Sequence, residues 1–267
     1  MIKVAVDGVA GRMGQRLAHL ILESEDLTLA GAKEHPDHPG VGADAGAVIG
    51  ASDVGVPVGS RAADLVEGAE VVVAFTAPGA TVETAAACGR RGTPLVAGTT
   101  GMSSSQLEEF RSAVAPIPCV FAPNFSTAMN VLFRLVEEAA RILGDDYDVE
   151  VVEAHHRYKA DAPSGSALRL GERAAEGLNR SLDEVAVHGR QGAVGERTRK
   201  EIGVHAVRLG DLAGDHSVYF GAPGEYLELR HHATSRDSFA LGALRAVRFA
   251  ASAPAGLYDM GDVLGLK

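Results

Sequence analysis

Cysteine is nearly absent: Cys88 and Cys119 are the only two in 267 residues, and they form no CxxC pair. A disulfide scaffold is therefore not expected, and a reducing cytoplasm fits the composition. Basic residues are in deficit, with 25 Lys and Arg against 35 Asp and Glu and a formal charge of −10. That balance argues against general nucleic-acid or anionic-membrane binding, but it leaves room for a local cationic pocket. No apolar run reaches the ~18 residues that a membrane-spanning helix requires. The opening stretch Met1–Val6 is too short for a signal peptide and runs straight into a glycine turn. Internal repeats and low-complexity tracts are missing too. What is present is a 46% hydrophobic chain of near-neutral mean hydropathy, enough for a globular protein of one large or two modest domains.

The first half alternates strands and helices. Ile2 to Val6 reads as a strand, followed by Gly8-Val9-Ala10-Gly11-Arg12-Met13-Gly14 and a helix with Met13, Leu17, Leu20 and Ile21 on one face. Glycines between a strand and a helix allow tight turning and close phosphate approach, and the helix N-terminus favours a pyrophosphate. The spacing is GxxGxxG, which a structural strand-to-helix turn could also show. Leu27 to Ala32 is a second strand ending in Lys33-Glu34-His35, and Glu34 lies roughly 20 residues past the fingerprint, where an acid reads ribose hydroxyls. Residues 36–60 read as a long loop. Val71 to Phe75 is a buried strand, with a helix after Pro78 and Gly79. Pro94 to Ala97 is another, ending in Gly98-Thr99-Thr100-Gly101, and Cys119 to Ala122 another, ending in Pro123-Asn124-Phe125-Ser126. Ser105 and Glu108 read as a capping box for the helix carrying Leu107, Phe110 and Val114. Alternation of this kind predicts an α/β fold with a Rossmann-type, doubly wound parallel sheet.

The second half differs. A long helix over Met129 to Leu143 precedes a strand at 148–152 and a helix carrying Ala167, Leu170, Ala174 and Leu178. Residues 188–199 read as a mobile polar loop. Strands at 203–209, 217–220 and 226–232 cluster without helices between them, which predicts an α+β domain with a mixed or antiparallel sheet. A helix over 236–251 returns to the first domain. The expected division is 1–126 with 233–267, and 127–232.

Between that strand and helix lies Glu153-Ala154-His155-His156-Arg157-Tyr158-Lys159-Ala160-Asp161-Ala162-Pro163-Ser164-Gly165-Ser166. Ser164 reads as an N-cap, so amides near Gly165 and Ser166 are placed to meet an anion. His155 is suited to proton transfer and Lys159 to a fixed charge or a second proton. The loop is suited to hold and protonate a small carboxylate. The plainer readings are a surface histidine pair and a simple turn. No metal is expected, because adjacent histidines lack the i, i+4 spacing that puts both on one helical face and no cysteine is near.

Taken together, the glycine turn, Gly98 to Gly101, Pro123 to Ser126, the His155 loop, Gly210-Asp211-x-x-Gly214-Asp215-His216 and the ending Asp259-Met260-x-Asp262-Val263-Leu264 resemble the 4-hydroxy-tetrahydrodipicolinate (dihydrodipicolinate) reductase family over essentially the whole chain. The resemblance implies an NADH- or NADPH-dependent reductase of lysine and diaminopimelate synthesis acting on a small dicarboxylate, cytoplasmic and homotetrameric through the second domain. It implies that Gly8, Val9, Ala10, Gly11, Arg12 and Met13 hold the cofactor phosphates and that Glu34, with His35 beside it, meets the adenosine ribose. Gly98, Thr99, Thr100, Ala122, Pro123, Asn124 and Phe125 would lie along the nicotinamide half. His155 would be the proton donor or acceptor, Lys159 the second proton donor, and His156, Gly165, Ser166 and Thr100 substrate contacts. His35 stands where members often carry Arg, with Lys33 before it, so NADH is expected to serve at least as well as NADPH. Ala74 stands where members often carry Asp, and Ser166 where they carry Thr. Two other classes share parts of this pattern. Another two-domain dehydrogenase need not carry the two-histidine loop, and a dinucleotide sensor could lack His155 and Lys159.

Overall fold

The computed structural model describes residues 1–266 and divides into two units, residues 1–127 with the chain from Asp237 onward, and residues 128–236. In the first unit, β1 (Ile2–Asp7), α1 (Arg12–Leu22), β2 (Leu27–Lys33), α2 (Ala45–Ile49), β3 (Val58–Gly59), α3 (Ala62–Leu65), β4 (Val71–Ala74), α4 (Pro78–Arg91), β5 (Leu95–Ala97), α5 (Ser104–Val114) and β6 (Pro118–Phe121) run in order. The second unit carries α6 (Thr127–Leu143), β7 (Asp148–His155), α7 (Gly165–Gly177), α8 (Leu182–Val185), β8 (Ala186–His188), β9 (Ile202–Arg208), β10 (Gly214–Ala222) and β11 (Glu225–Ala233). The chain then re-enters the first unit as α9 (Asp237–Ala250), β12 (Gly256–Tyr258) and α10 (Met260–Leu264).

All seven strands of the first sheet run parallel, in the order β12-β6-β5-β4-β1-β2-β3. Both faces are covered, which is why its strands read as apolar runs. Val4, Val6, Val71 and Val73 face a core that also takes Leu17, Ile21, Leu244 and Val247 from helices. The intervening Ala5, Val72 and Ala74 face the opposite core with Phe110 and Cys88. The order reverses between β1 and β4, so their C-terminal ends open a crevice where ligands bind in such sheets. Charge pairs from Arg16 to Asp237 and from Arg248 to Asp26 tie α9 back to this unit.

Two local expectations change here. The capping box is Ser103 with Gln106, not Ser105 with Glu108, because the helix begins at Ser104 and leaves Ser103 extended as the N-cap. Residues 36–60 are not all loop. Asp44 caps α2 and gathers the amides of Gly46, Val54, Gly55 and Val56, folding the stretch compactly before β3. The tail after α9 forms the edge strand β12, and Asp259 caps α10.

The second sheet is mixed, in the order β11-β10-β7-β9-β8, with β7, β9 and β8 mutually parallel and β10 antiparallel to β7 and β11. Strict alternation along β7 puts Val149, Val151, Glu153 and His155 on the covered face, over α6 and α7. Burying Leu170 and Phe220 there contributes roughly 1.5–3 kcal/mol each. The stretch 188–199, expected to be mobile, is tethered. Arg190 pairs with Glu150 and Glu201, and Arg197 with Asp148 and Glu150.

Candidate active site

The glycine turn follows directly from β1. Gly8 has φ +81° and both Gly8 N and Val9 N donate to Lys33 O, at 2.8 and 3.1 Å. A Cβ on Gly14 would lie 1.9 Å from Gly8 O, so only glycine lets α1 pack this closely against the turn. The N-cap of α1, Gly11, makes no side-chain cap bond, which leaves the first-turn amides to an outside acceptor. Arg12 is exposed at the first helical position, and Met13 packs on the core. This uncapped cradle fits a dinucleotide pyrophosphate.

Glu34 accepts from Ala10 N and His35 N, both at 2.9 Å. A carboxylate has about four acceptor positions, so roughly two remain for a pair of ribose hydroxyls. With Gly8, His35 and Arg61 it lines a cavity of about 680 Å³. Lys33 does not supply a free cation beside His35: its Nζ donates to the buried Asp7 at 2.8 Å. Asp7 and Lys33 are register partners across β1 and β2, which places both side chains on one face. Burial pushes the Asp7 carboxyl up, against the pull of Lys33 and of Thr84, whose hydroxyl donates to it at 2.6 Å.

At the ends of β4 and β5, Thr76, Thr81 and Thr99 bond in a chain, and Thr99 Oγ1 also reaches Thr76 O. Thr99 is therefore committed inwards, whereas Thr100 is exposed. Gly98 admits the Phe75 ring, which a Cβ would meet at 2.1 Å. Phe75 in turn packs on Phe125, 5.4 Å between centroids, after the buried Ala122 and the Pro123-Asn124 turn.

In the second unit, Glu153 is the hub. Fully buried, its carboxylate accepts from His155 Nδ1 at 2.7 Å, from Arg208 at 2.7 and 2.9 Å, and from Ser164 N at 2.9 Å. Burial pushes its carboxyl up, but Arg208, His155 and the Ser164 amide together outweigh this and hold it below its ordinary value. His155 can donate to that carboxylate only through Nδ1–H, which leaves Nε2 as the nitrogen for outside chemistry. Ser164 Oγ caps α7 by accepting from Ala167 N, as its place before the helix predicts. Lys159 Nζ is held by Asp161 Oδ1 at 2.9 Å. Gly165 is exposed at the start of α7, Ser166 follows half-buried, and His156 N is anchored to Leu212 O.

In the first unit Gly8, Gly11, Glu34 and His35 line one cavity, and in the second His155 and Ser164 meet on Glu153. Four residues were given no role by the sequence reading: Asp7, Thr84, Glu153 and Arg208. Arg208 pairs in register with His155 across β7 and β9 and bonds Glu153, 55 residues away, which leaves no local signal. Asp7 had one: a charged residue closing an apolar strand just before the glycine turn. Among the described residues no group of three or more His, Cys, Asp or Glu side chains could hold a metal ion, and no helix is long and apolar enough to cross a membrane.

A dinucleotide cradle at the switch point of a doubly wound sheet, joined in one chain to a buried carboxylate–histidine pair, defines a two-domain dinucleotide-dependent oxidoreductase. Family profiles for dihydrodipicolinate reductase match residues 2–125 (N-terminus) and 128–264 (C-terminus). The chain belongs to the dihydrodipicolinate reductase family. It is 46% identical over 267 residues to the 4-hydroxy-tetrahydrodipicolinate reductase of Syntrophobacter fumaroxidans, covering 100% of both chains. It is 49% identical to that of an Anaeromyxobacter species, covering 100% of this chain and 99% of the relative. Among solved structures, a dipicolinate-bound dihydrodipicolinate reductase from Paenisporosarcina sp. TG-14 superposes with a TM-score of 0.77 at 26% identity, covering 97% of each chain.

Proposed function

We propose that this chain reduces 4-hydroxy-tetrahydrodipicolinate to tetrahydrodipicolinate, with loss of water, in lysine and diaminopimelate synthesis. The observation that carries the reading is the Glu153–His155 pair, 2.7 Å apart, at the end of β7 and just before the loop that presents Lys159 and the N-terminus of α7. The reacting species is a cyclic imine bearing two carboxylates, formed when water leaves the hydroxylated precursor. When bound, the reduced nicotinamide supplies a hydride to the ring. The electron pair displaced by that hydride moves towards the ring nitrogen, which takes a proton from His155 Nε2. Glu153, bonded to Nδ1, holds the ring in place and keeps its working nitrogen outward. Lys159, His156, Gly165 and Ser166 hold the carboxylates, with the dipole of α7 adding positive potential. Dipicolinate, a planar dicarboxylate, is accordingly expected to bind as an inhibitor.

The cofactor sits on Gly8 to Met13 and Glu34, with the nicotinamide half along Gly98, Thr100 and Ala122 to Phe125. NADH serves at least as well as NADPH, because Glu34 is an anion and Lys33 is neutralised by Asp7. Two further basic side chains line that cavity: His35, exposed, and Arg61, loosely paired with Asp64 at 3.8 Å. The assembly is a homotetramer through the second unit, in the cytoplasm. Exposed Val207, Leu209, Tyr226 and Leu227 on and beside the β9 and β11 strands support the covering of that sheet by another copy. The test is His155→Gln, expected to lower kcat by a factor on the order of 10²–10⁴ while NADH binding persists. A folded variant within about threefold of the parent would remove His155 from the chemistry.

A further inference from the structure

The segment Gly210 to His216 belongs to the family pattern but has no part yet in the chemistry. It lies against the histidine loop. His156 N donates to Leu212 O, Arg157 N to Gly210 O, and Leu209 N to His155 O. Gly214 has φ +154°, and a Cβ there would stand 2.9 Å from His155 Nε2, the nitrogen that must stay free. His216 then projects from β10 beneath the loop, 4% exposed. Its ring stands edge-on to His155, with centroids 5.1 Å apart and planes at 81°. Its Nε2 lies 3.1 Å from Ser164 Oγ, and its Nδ1 is buried with no partner among the described residues.

These facts assign the proton. Were Ser164 the donor, the imidazole hydrogen would sit on Nδ1, a buried N–H with nothing to accept it. The opposite tautomer leaves only an unused lone pair, the lesser penalty. His216 Nε2–H therefore donates to Ser164 Oγ, an assignment made from the bonding network. Ser164 Oγ already accepts from Ala167 N at 3.2 Å. With both acceptor positions filled, its own O–H is the one remaining polar bond, and it sits at the N-terminus of α7.

We infer that His216 is a positioning residue: it fixes the Ser164 hydroxyl as a donor towards a substrate carboxylate at the start of α7. A second proton on the ring would put a cation against His155. Burial, with His155 adding to it, pushes His216 down to about 3, so its ring stays neutral and keeps this tautomer near neutral pH. The inference rests on the reading of this loop as the dicarboxylate site.

The test is a double-mutant cycle between His216→Phe and Ser164→Gly, read with dipicolinate as the probe. Phe keeps the ring packing and deletes the donor, and Gly is the mildest replacement at an N-cap. His216→Phe is expected to raise the dipicolinate inhibition constant and the substrate KM on the order of tenfold, the worth of one hydrogen bond to a charged group, with kcat changed less. His216→Gln, whose amide nitrogen can stand where Nε2 was, should stay within about threefold. In the Ser164→Gly background, His216→Phe should add nothing. Unchanged dipicolinate inhibition in His216→Phe, or two losses that simply multiply, would overturn the inference. If His216→Phe does not fold, His216→Gln decides it: binding within about threefold sustains the role and a tenfold loss ends it. If dipicolinate fails to inhibit even the parent enzyme, it is the carboxylate-site reading that falls, and this inference with it.

Discussion

Replacing Glu153 with Gln changes no volume, yet it inverts the polarity of one atom in a network where every neighbour donates. Oε1 accepts from Ser164 N and Arg208, both at 2.9 Å, and Oε2 from His155 Nδ1 and Arg208, both at 2.7 Å. The new amide NH₂ must face one of those pairs. Neither a backbone N–H nor a guanidinium can become an acceptor, whereas imidazole can, by moving its proton to Nε2. The substituted side chain is therefore expected to turn its NH₂ towards His155 and fix the Nε2–H tautomer, the reverse of the one that Glu153 holds. The kinetic loss should be on the order of 10²–10³ in kcat, within the range for a displaced acid or base. Arg208 loses its ionic partner, but its side chain is 21% exposed and water takes up part of the deficit. A stability loss of roughly 1–2 kcal/mol follows. NADH affinity should not move, since the cofactor cradle lies in the other unit. Steady-state kinetics, urea unfolding and NADH titration read the three effects separately. A folded Glu153→Gln variant with kcat within about threefold of the parent would refute the tautomer argument.

Lys159→Ala should raise the substrate KM and lower kcat together, and normal values for both would reduce Lys159 to a solvated loop charge paired with Asp161. His35→Arg should shift the NADPH-to-NADH specificity ratio towards NADPH by roughly tenfold if one phosphate contact adds about 1.4 kcal/mol. A parent enzyme that strongly prefers NADPH, unchanged by this substitution, would mean that the phosphate is read elsewhere. Acid should destabilise the second unit: burial pushes Glu150 up, but Arg190, His205 and Arg197 override it and hold it at about 2. That contribution is present above the ordinary value of 4.5 and is lost as pH falls towards 2. His216, held at about 3 from an ordinary 6.5, adds a loss of the same sign that begins below 6.5. Urea midpoints should therefore fall with pH, and less steeply in Glu150→Gln, whereas a flat profile in the parent would contradict the pairing.

Period and punctuation carried most of the fold. The apolar runs of β1 and β4 read as parallel strands because both faces are buried. The second sheet was legible as a mixed or antiparallel cluster of strands, but its strand order was not. β8 is three residues long, and β9 pairs parallel to β7 after α7, α8, β8 and a tethered loop rather than through a hairpin. The site was legible where chemistry is local. His155, Lys159 and Ser164 sit within one loop, and Glu34 falls at a fixed distance from the glycine turn. What escaped was held by register between distant strands. Asp7 meets Lys33 across β1 and β2, and Arg208 meets His155 across β7 and β9. No window of sequence contains either pair. The shifted capping box shows a finer limit: Ser103, Ser104 and Ser105 all suit an N-cap, and only the backbone decides among them.

The central claim is tested most directly by following the absorbance of the reduced nicotinamide with the purified chain. The trigger is the product of aldol condensation between pyruvate and aspartate semialdehyde, added to enzyme with NADH or NADPH. The account predicts oxidation that depends on that product, is inhibited by dipicolinate, and proceeds with NADH at least as well as with NADPH. Folded protein that binds NADH but oxidises neither nucleotide when the product is added would contradict it.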